Sequence, residues 1–354
     1  MQHYLHTSQE LSINSYLNVL SNSGRSDAAT LAEIILEYLL TNGSNEDHFR
    51  GNENNLGILR NLESRVILKE LQIHPDAISF STTIRALANS NEGHNTGEKA
   101  EKILSQMIEL SNRSEDGSLR PSESCYSGVI SAWTNEAKIN KDGSKYLDAE
   151  SVLMQMEDEG YNLNTDMYNA ILSIAGLTID DESVKRNVAS RARKRLLKMI
   201  EQSSNQRYAK PDVYSFNNII KANIGFKEAS NKRDAFFSSI DTFNALNKSN
   251  LCEANDQVYI QMFKMIQNTM ENDAGRTDLC EELIHKCCED GLMNNAVLRI
   301  IENILPSRSL IRLEACKKVK DKKLVVSNLP SEWSHNRRIG QNQRRNRNQS
   351  WRRS

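Results

Sequence analysis

Two stretches of the chain share one pattern of residues, and their aromatic positions lie 48 residues apart. In residues 164–172 and 212–220, a polar residue is followed four positions later by an aromatic one, Tyr168 or Phe216, and then by Asn. Both stretches continue into apolar residues at helical spacing. A phrase that returns at such an interval indicates an array of repeats, in which each unit packs on its neighbours.

The aromatic position of this phrase recurs six times along the chain. Apolar residues at offsets of +4 and +7 accompany most copies, as Ile84 and Leu87 follow Phe80. These offsets place the residues on one face of a helix, so each copy predicts a first helix of a repeat unit. The six aromatic positions are Tyr16, Phe80, Tyr126, Tyr168, Phe216 and Tyr259.

A second pattern follows each aromatic phrase and predicts a second helix. It consists of a small residue, apolar residues three and four positions later, and a large residue at the seventh, as in Ala149 and Met156. Small and large residues two turns apart let neighbouring helices approach and interlock. Because turns rich in Gly, Asn and Ser separate the patterns, the sequence predicts an all-α fold of helical hairpins packed in series.

The repeat array is expected to occupy most of the chain. We predict a lead-in over residues 1–12, an array of about six lengthened repeats over 13–295, a capping helix and C-terminal segment over 296–334, and a disordered Arg-rich tail over 335–354. Within the array, the polar run between Thr41 and Leu56 predicts a loop, and residues 60–71 predict an extra short helix. The tail has too little apolar surface to fold.

Charge is distributed unevenly along the chain. The formal net charge is −1, but residues 317–354 carry five Lys and seven Arg against two acids, a net of +10, so residues 1–316 carry −11. An acidic body with a basic tail is typical of a protein that uses its tail for interactions. No run approaches the roughly 18 apolar residues that cross a bilayer, so the sequence predicts no membrane span.

Metal binding and catalysis have little support in the sequence. Cys280, His285, Cys287 and Cys288 carry metal-binding atoms, but Cys280 and Cys287 occupy the small and large positions of the second-helix pattern. Free Cys packs like a small hydrophobic residue, so we interpret them as core residues and predict no metal site. The chain also lacks a Gly-rich phosphate loop, an H-E-x-x-H motif and a credible Ser/His/Asp set, which predicts a non-catalytic protein without a cofactor.

The helix starts resemble those of a known family. A Pro-Asp pair at residues 75–76 precedes Phe80, and another at 211–212 precedes Phe216, each followed by the second-helix pattern. Over residues 11–295 this combination resembles the pentatricopeptide repeat. The units are 42–48 residues long, which is longer than the family's unit, and three junctions lack the Pro.

The resemblance implies both a fold and a role. The family forms a right-handed α-solenoid of stacked helix-turn-helix repeats and binds single-stranded RNA, one base per repeat. We therefore expect a monomer that acts in RNA processing, stability or translation, alongside other RNA-processing proteins. The family works mostly in mitochondria or plastids, yet residues 1–40 hold one basic and four acidic residues and do not resemble a transit peptide, so the compartment stays open.

The resemblance also implies which side chains read bases. In the family, each base is read by the residue after the first-helix aromatic and by the last residue of the same unit. Carried to this chain, the pairs are Ser81 with Ser122, Ser127 with Asn164, Asn169 with Asp212, and Asn217 with Asn255. The outer units place Leu17 and Ile260 at the reading position, and neither forms side-chain hydrogen bonds. By family preference the four pairs predict the sequence purine-A-U-C.

Helix capping is the second explanation for these polar residues. Ser, Asn and Asp are favoured at helix starts because their side chains accept a hydrogen bond from a backbone N–H. Capping suffices to explain Ser122, Asn164 and Asp212. It does not explain Asn169 and Asn217, which lie one turn inside a predicted helix, so both explanations stand.

The basic tail offers contacts to phosphates. It holds seven Arg among Asn, Gln and Trp351, including Arg344, Arg345 and Arg347. Such an arm neutralises phosphates, and an aromatic ring within it stacks on a base. The alternatives are a solvated tail or an address signal. We favour the arm because the acidic body would otherwise repel RNA.

Two functions from different classes follow. The first is a single-stranded RNA-binding solenoid, which the Asn and Asp residues at the reading positions favour. The second is a protein-binding helical-repeat scaffold like the tetratricopeptide arrays, which the acidic body favours.

Overall fold

The chain folds into helices wherever the structure describes it. The computed structural model describes residues 13–25, 27–41, 74–91, 93–114, 117–205, 209–305 and 330–336, and within these ranges it contains helices and no strands. The predicted all-α class is therefore confirmed. The chain divides into two compact units, Met1–Leu163 and Asn164–Ser354.

In the first unit, first helices pack side by side and second helices pack on them. Its helices are α1 (residues 13–22), α2 (Ala28–Leu40), α3 (Ala77–Ala88), α4 (Thr96–Arg113), α5 (Glu123–Asn140) and α6 (Tyr146–Asp158). Helix α3 packs on α5, while α4 contacts both and α6 packs on α5. Phe80 and Tyr126, the aromatic residues of α3 and α5, are fully buried at these contacts.

The second unit repeats this arrangement. Its helices are α7 (Thr165–Ala175), α8 (Glu182–Gln202), α9 (Val213–Ala222), α10 (Ala229–Ser249), α11 (Asp256–Thr269), α12 (Ala274–Glu289) and α13 (Asn295–Ile304). The first helices α7, α9, α11 and α13 pack in series, and α8, α10 and α12 pack on them. Tyr168, Phe216 and Tyr259 are buried as predicted.

The second-helix pattern is confirmed as a core pattern in every copy except that of α10, where Ala235 and Ser239 are buried and Phe236 and Ile240 are only partly so. Its small and large positions are buried with an exposed fraction of 0% in Ala100, Met107, Ala149, Met156, Ala192, Cys280 and Cys287. The interpretation of Cys280 and Cys287 as core residues is thus confirmed, while His285 on the same helix is exposed. Within the described ranges, no group of His, Cys, Asp and Glu is arranged to hold a metal ion.

In helix α1 the predicted aromatic position, Tyr16, is not a buried position. Tyr16 is 39% exposed, whereas the next residue, Leu17, is 0% exposed. Leu17 and Leu20 pack against Leu31 and Ile35 of α2 in one apolar cluster. Leu17 and Leu20 stand at +4 and +7 from Ile13, which packs against the same cluster, so the residue that follows the first position of this copy is Asn14 and not Leu17.

A helix is present as α13 where the capping helix was predicted, and a later segment packs on α12. Pro330–Asn336 includes a short 3-10 helix, Ser331–Ser334, that packs on α12. The backbone N–H of Met293 donates to Trp333 O over 2.8 Å, and the backbone N–H of Asn336 donates to Gly291 O over 2.9 Å.

Several predictions lie outside the described residues. These are the lead-in over 1–12, most of the loop after Thr41, the short helix over 60–71 and nearly all of the tail. Among the helices that the structure describes, none is both long and apolar enough to cross a membrane.

Candidate nucleic-acid interface

Asn169 and Asp212, the central pair of predicted base readers, contact each other directly. Asn169 lies on α7, and Asp212 is the N-cap of α9. The Asn169 Nδ2 donates to Asp212 Oδ1 over 2.9 Å, and the Ser215 hydroxyl donates to Asn169 Oδ1 over 2.7 Å. Two side chains 43 positions apart are therefore joined at the start of α9.

Asp212 caps α9 with one carboxylate oxygen, and the other oxygen accepts no hydrogen bond from a described residue. Its Oδ1 accepts from the backbone N–H groups of Tyr214 at 2.9 Å and Ser215 at 3.0 Å. All the hydrogen bonds to this carboxylate from described residues fall on Oδ1, while Oδ2 has none. Capping and hydrogen bonding to a ligand are thus compatible, because each uses a different oxygen.

Asn169 is less available than its partner. Its side chain is buried, with an exposed fraction of 5%. Its contacts to Asp212 and Ser215 leave one Nδ2 hydrogen and one Oδ1 lone pair. We conclude that Asn169 positions and polarises Asp212, and that Asp212 is the more accessible member of the pair.

The same type of contact occurs at the start of α3, outside the four predicted pairs. Asn14 Nδ2 donates to Asp76 Oδ2 over 2.8 Å, and Ser79 donates to Asn14 Oδ1 over 3.0 Å at the start of α3. Asp76 and Ser79 form a capping box, as Asp212 and Ser215 do. An Asn–Asp–Ser cluster therefore joins neighbouring first helices in both units, which gives it a packing role of its own.

The other predicted pairs do not form comparable contacts. Ser81 donates to Ile78 O over 3.1 Å within its own helix, and Ser127 donates to Ser124 O over 3.1 Å in the same way. Ser122 is the N-cap residue of α5 but makes no side-chain capping bond among the described residues, so the capping explanation is wrong for it. Its hydroxyl instead lies 2.7 Å from that of Ser124.

Asn164 and Asn255 are N-caps, and Asn217 is not. Asn164 Oδ1 accepts from Met167 N over 2.9 Å, and Asn255 Oδ1 accepts from Val258 N over 3.1 Å. The Oδ1 of Asn217 is buried and has no hydrogen-bond partner in the described part of the chain. A buried carbonyl oxygen without a donor costs free energy, and its burial also keeps this atom from contact with a ligand.

In the second unit, the starts of the three first helices α7, α9 and α11 line a groove of about 1350 Å³. Asn164, Asp212 and Asn255, which are second members of predicted pairs, all contribute to its wall. Leu246, Leu251 and Leu292 add apolar surface. The groove therefore collects side chains that lie far apart in the sequence.

The groove is strongly acidic, which the sequence did not predict. Its lining carboxylates are Asp166, Asp212, Glu253, Asp256, Glu289 and Asp290. Among its described lining residues, the one Lys or Arg is Lys286, whose Nζ lies 3.0 Å from Asp290. These carboxylates repel phosphates, but they attract cations and accept hydrogen bonds from N–H groups.

Buried groups around the groove are held in their neutral form. Burial, together with the carboxylate of Asp212, raises the pKa of the Cys252 thiol to about 12. Burial and the hydrogen bond that its hydroxyl donates to Asp290 raise the pKa of Tyr259. Since thiolates and not thiols are nucleophilic, Cys252 is an unreactive wall residue at neutral pH.

Helix α8 carries a basic surface that was not predicted from the sequence. Between Glu182 and Gln202 it has seven Lys and Arg against two Glu. Arg186 and Lys194 are exposed, and Arg193 contacts Asp241 at 2.9 Å. The sequence signal for this surface is the excess of Lys and Arg in this one helix, within a part of the chain that is otherwise acidic. The basic tail residues Arg344, Arg345 and Arg347 lie outside the described residues.

Comparison with protein-family models gives no match for this chain, and comparison with curated proteins gives none either.

Proposed function

We propose that this chain binds single-stranded RNA and catalyses no reaction. Its hairpins would be units similar to the pentatricopeptide repeat, wound into a right-handed α-solenoid. The proposed role is in RNA processing, stability or translation within a mitochondrion or plastid. The protein would act as a monomer alongside other RNA-processing proteins.

The contact between Asn169 and Asp212 carries this proposal. The resemblance pairs these residues for base reading, and their side chains meet at 2.9 Å beside the groove. Asp212 Oδ2 is an acceptor without a protein donor among the described residues. Uridine presents an imino N–H on its pairing edge and cytidine presents an acceptor there, so a carboxylate favours uridine.

Base reading and phosphate binding would use different parts of the chain. The carboxylates of the groove repel the RNA backbone, so the phosphates must be held by cations elsewhere. The Arg-rich tail, with Arg344, Arg345 and Arg347, supplies such cations, and Arg186 and Lys194 of α8 add exposed ones. RNA would then enter the groove with its base edges only.

Removing the tail tests the phosphate part of the proposal. We expect a chain that ends at Asn336 to bind any single strand more weakly than the full chain, because it lacks seven Arg. The slope of log affinity against log salt should flatten by up to about 0.7 for each lost phosphate contact. Fluorescence anisotropy with a labelled RNA at four salt concentrations measures both quantities.

The control for this experiment removes an exposed Arg from outside the proposed interface. Arg113 pairs with Glu109 at the surface of α4, and Arg113→Gln should leave the affinity and the slope unchanged. If the shortened chain keeps the full salt slope, the tail does not bind phosphate. If the full chain binds no single-stranded RNA, the proposed function itself is wrong.

The acidic groove specifically favours the second candidate function, a protein-binding scaffold. Six carboxylates beside apolar wall residues suit a Lys- or Arg-rich segment of a partner protein. Binding of a basic peptide in trans, combined with no binding of RNA, would select the scaffold over the RNA-binding protein.

A further inference from the structure

The groove of the second unit has the charge of a binding site for guanidinium groups. Carboxylates line it from the start of α7, the loop before α11 and the end of α12. Glu253 and Glu289 are exposed and make no hydrogen bond or ion pair with any described residue. Like charges gathered in one concave surface raise its affinity for a cation, and planar Arg groups pair with carboxylates through two hydrogen bonds.

The chain's own C-terminal segment is already fixed at the rim of this groove. Asn336 lines the groove, and its Nδ2 donates to Asp290 O over 2.8 Å. Its backbone N–H donates to Gly291 O, which fixes the direction of the chain at this point. The segment Pro330–Asn336 therefore ends at the groove.

The residues that follow Asn336 are the most basic of the chain. Arg337 and Arg338 come next, and residues 337–354 contain seven Arg and no acid. Consecutive Cα atoms lie about 3.8 Å apart, so a chain that continues from Asn336 starts at the groove wall. An Arg side chain extends further than that distance from its own Cα, which is long enough to span from such a chain to a carboxylate of the wall.

We propose that the Arg-rich segment 337–354 occupies the acidic groove of its own chain. In this arrangement Arg337 and Arg338 pair with carboxylates near Asp290, and later Arg residues extend towards Glu253 and Asp166. Charge complementarity and the fixed position of Asn336 select this occupant over a separate partner, because a tethered segment binds at a high effective concentration. The inference goes beyond the proposed function and does not depend on RNA binding.

A docked tail would block the groove wall and its own Arg residues at the same time. While the tail lies in the groove, it covers Asp212 and its own Arg residues are paired. A polyanion that takes up the Arg residues would release the tail and expose the groove wall. The tail and the groove would then become accessible together.

Arginine footprinting of the full chain tests this arrangement without RNA. Phenylglyoxal modifies accessible guanidinium groups, and mass spectrometry gives the rate at each Arg. We expect the double variant Glu253→Gln/Glu289→Gln to show modification of the tail Arg residues about fivefold faster than the wild type, because exposed ion pairs are lost. Arg186 of α8 is exposed in the same chain and serves as the internal reference.

A matched double variant controls for the change in net charge. Glu201 and Glu271 are also exposed in the second unit and do not line the groove. Glu201→Gln/Glu271→Gln should leave the tail rates at their wild-type values. Circular dichroism of both variants confirms that the helices persist.

Three outcomes would overturn the proposal. The first is equal tail rates in the wild type and the groove variant. The second is an equal increase in the groove variant and its control, which would point to net charge alone. The third is protection that disappears on dilution, which would assign the groove to the tail of a second copy.

Discussion

Met156→Asp is expected to lower the free energy of unfolding by about 3–5 kcal/mol, because it removes a buried side chain and places a charge in the core. Met156 is the large residue of the second-helix pattern in α6, and its exposed fraction is 0%. Its neighbours on the buried face, Ala149 and Leu153, are buried as well, so an aspartate there would lie among apolar side chains. The melting temperature should therefore fall by roughly 10 °C or more.

Met154→Asp is the matched control on the same helix. Met154 lies two residues away on the opposite face and is 41% exposed, so its aspartate remains solvated. We expect a change within about 0.5 kcal/mol, as for most surface substitutions. Equal melting temperatures for the two variants would refute the assignment of the α6 core face.

Gly97→Ala is expected to cost about 1–3 kcal/mol, as overpacking of a well-packed contact does. Gly97 lies in the first turn of α4, where a Cβ would come within 2.2 Å of the Trp133 ring of α5. That ring is held by a hydrogen bond from its Nε1 to Glu101 over 2.9 Å and by Lys145, 5.0 Å from the ring centroid. The buried Glu136 also accepts from Gly97 N over 2.8 Å, so a shift of α4 would break a second contact.

Gly275→Ala makes the same chemical change at the same position of another helix. Gly275 is the second residue of α12, as Gly97 is of α4. An added Cβ there would have its nearest neighbour at 3.6 Å, an ordinary contact. We expect no loss and a gain of up to about 1 kcal/mol from the reduced freedom of the unfolded chain. Denaturant titration of the two variants should move the midpoints in opposite directions or move only that of Gly97→Ala.

The hairpin pattern was predictable because it depends on local periodicity. Phe80, Tyr126 and Met156 occupy positions whose burial follows from apolar spacing along one helix. The error at Tyr16 has the same origin. In α1 the buried face is the one on which Leu17 and Leu20 pack against α2. The aromatic residue Tyr16 does not lie on that face.

The groove was not predictable, because its charges come from separate parts of the chain. Asp166 lies at the start of α7, Glu253 in the loop before α11 and Glu289 at the end of α12, and only the packing of these elements brings the three carboxylates together. Each residue in isolation is an ordinary solvated acid. Likewise, no local pattern predicts that Asn169 is 5% exposed and bound to both Asp212 and Ser215.

Capping was only partly predictable from residue type. Asp212, Asn164 and Asn255 accept the expected backbone N–H groups, whereas the hydroxyl of Ser122 lies beside Ser124 instead. A short hydroxyl can bond to several neighbours at a helix start. Residue type therefore identifies a helix start more reliably than it identifies the bond that is made there.

Base preference at the third RNA position tests the central claim most directly. Asp212→Asn keeps a good N-cap, because Asn caps helices as well as Asp does, and it removes the negative charge that favours an imino N–H. Asp76→Asn is the matched control, since it changes the corresponding capping box of α3. The measurement is the affinity of the wild type and both variants for four short RNAs that differ only at that base.

We predict that the wild type and Asp76→Asn prefer uridine at the third position, and that Asp212→Asn shifts the preference towards cytidine by about 1 kcal/mol, the size of one exchanged hydrogen bond. Circular dichroism should give the same helix content for all three proteins. If the wild type and Asp212→Asn rank the four RNAs identically, Asp212 is a helix cap alone, and the account of base reading by this chain is contradicted.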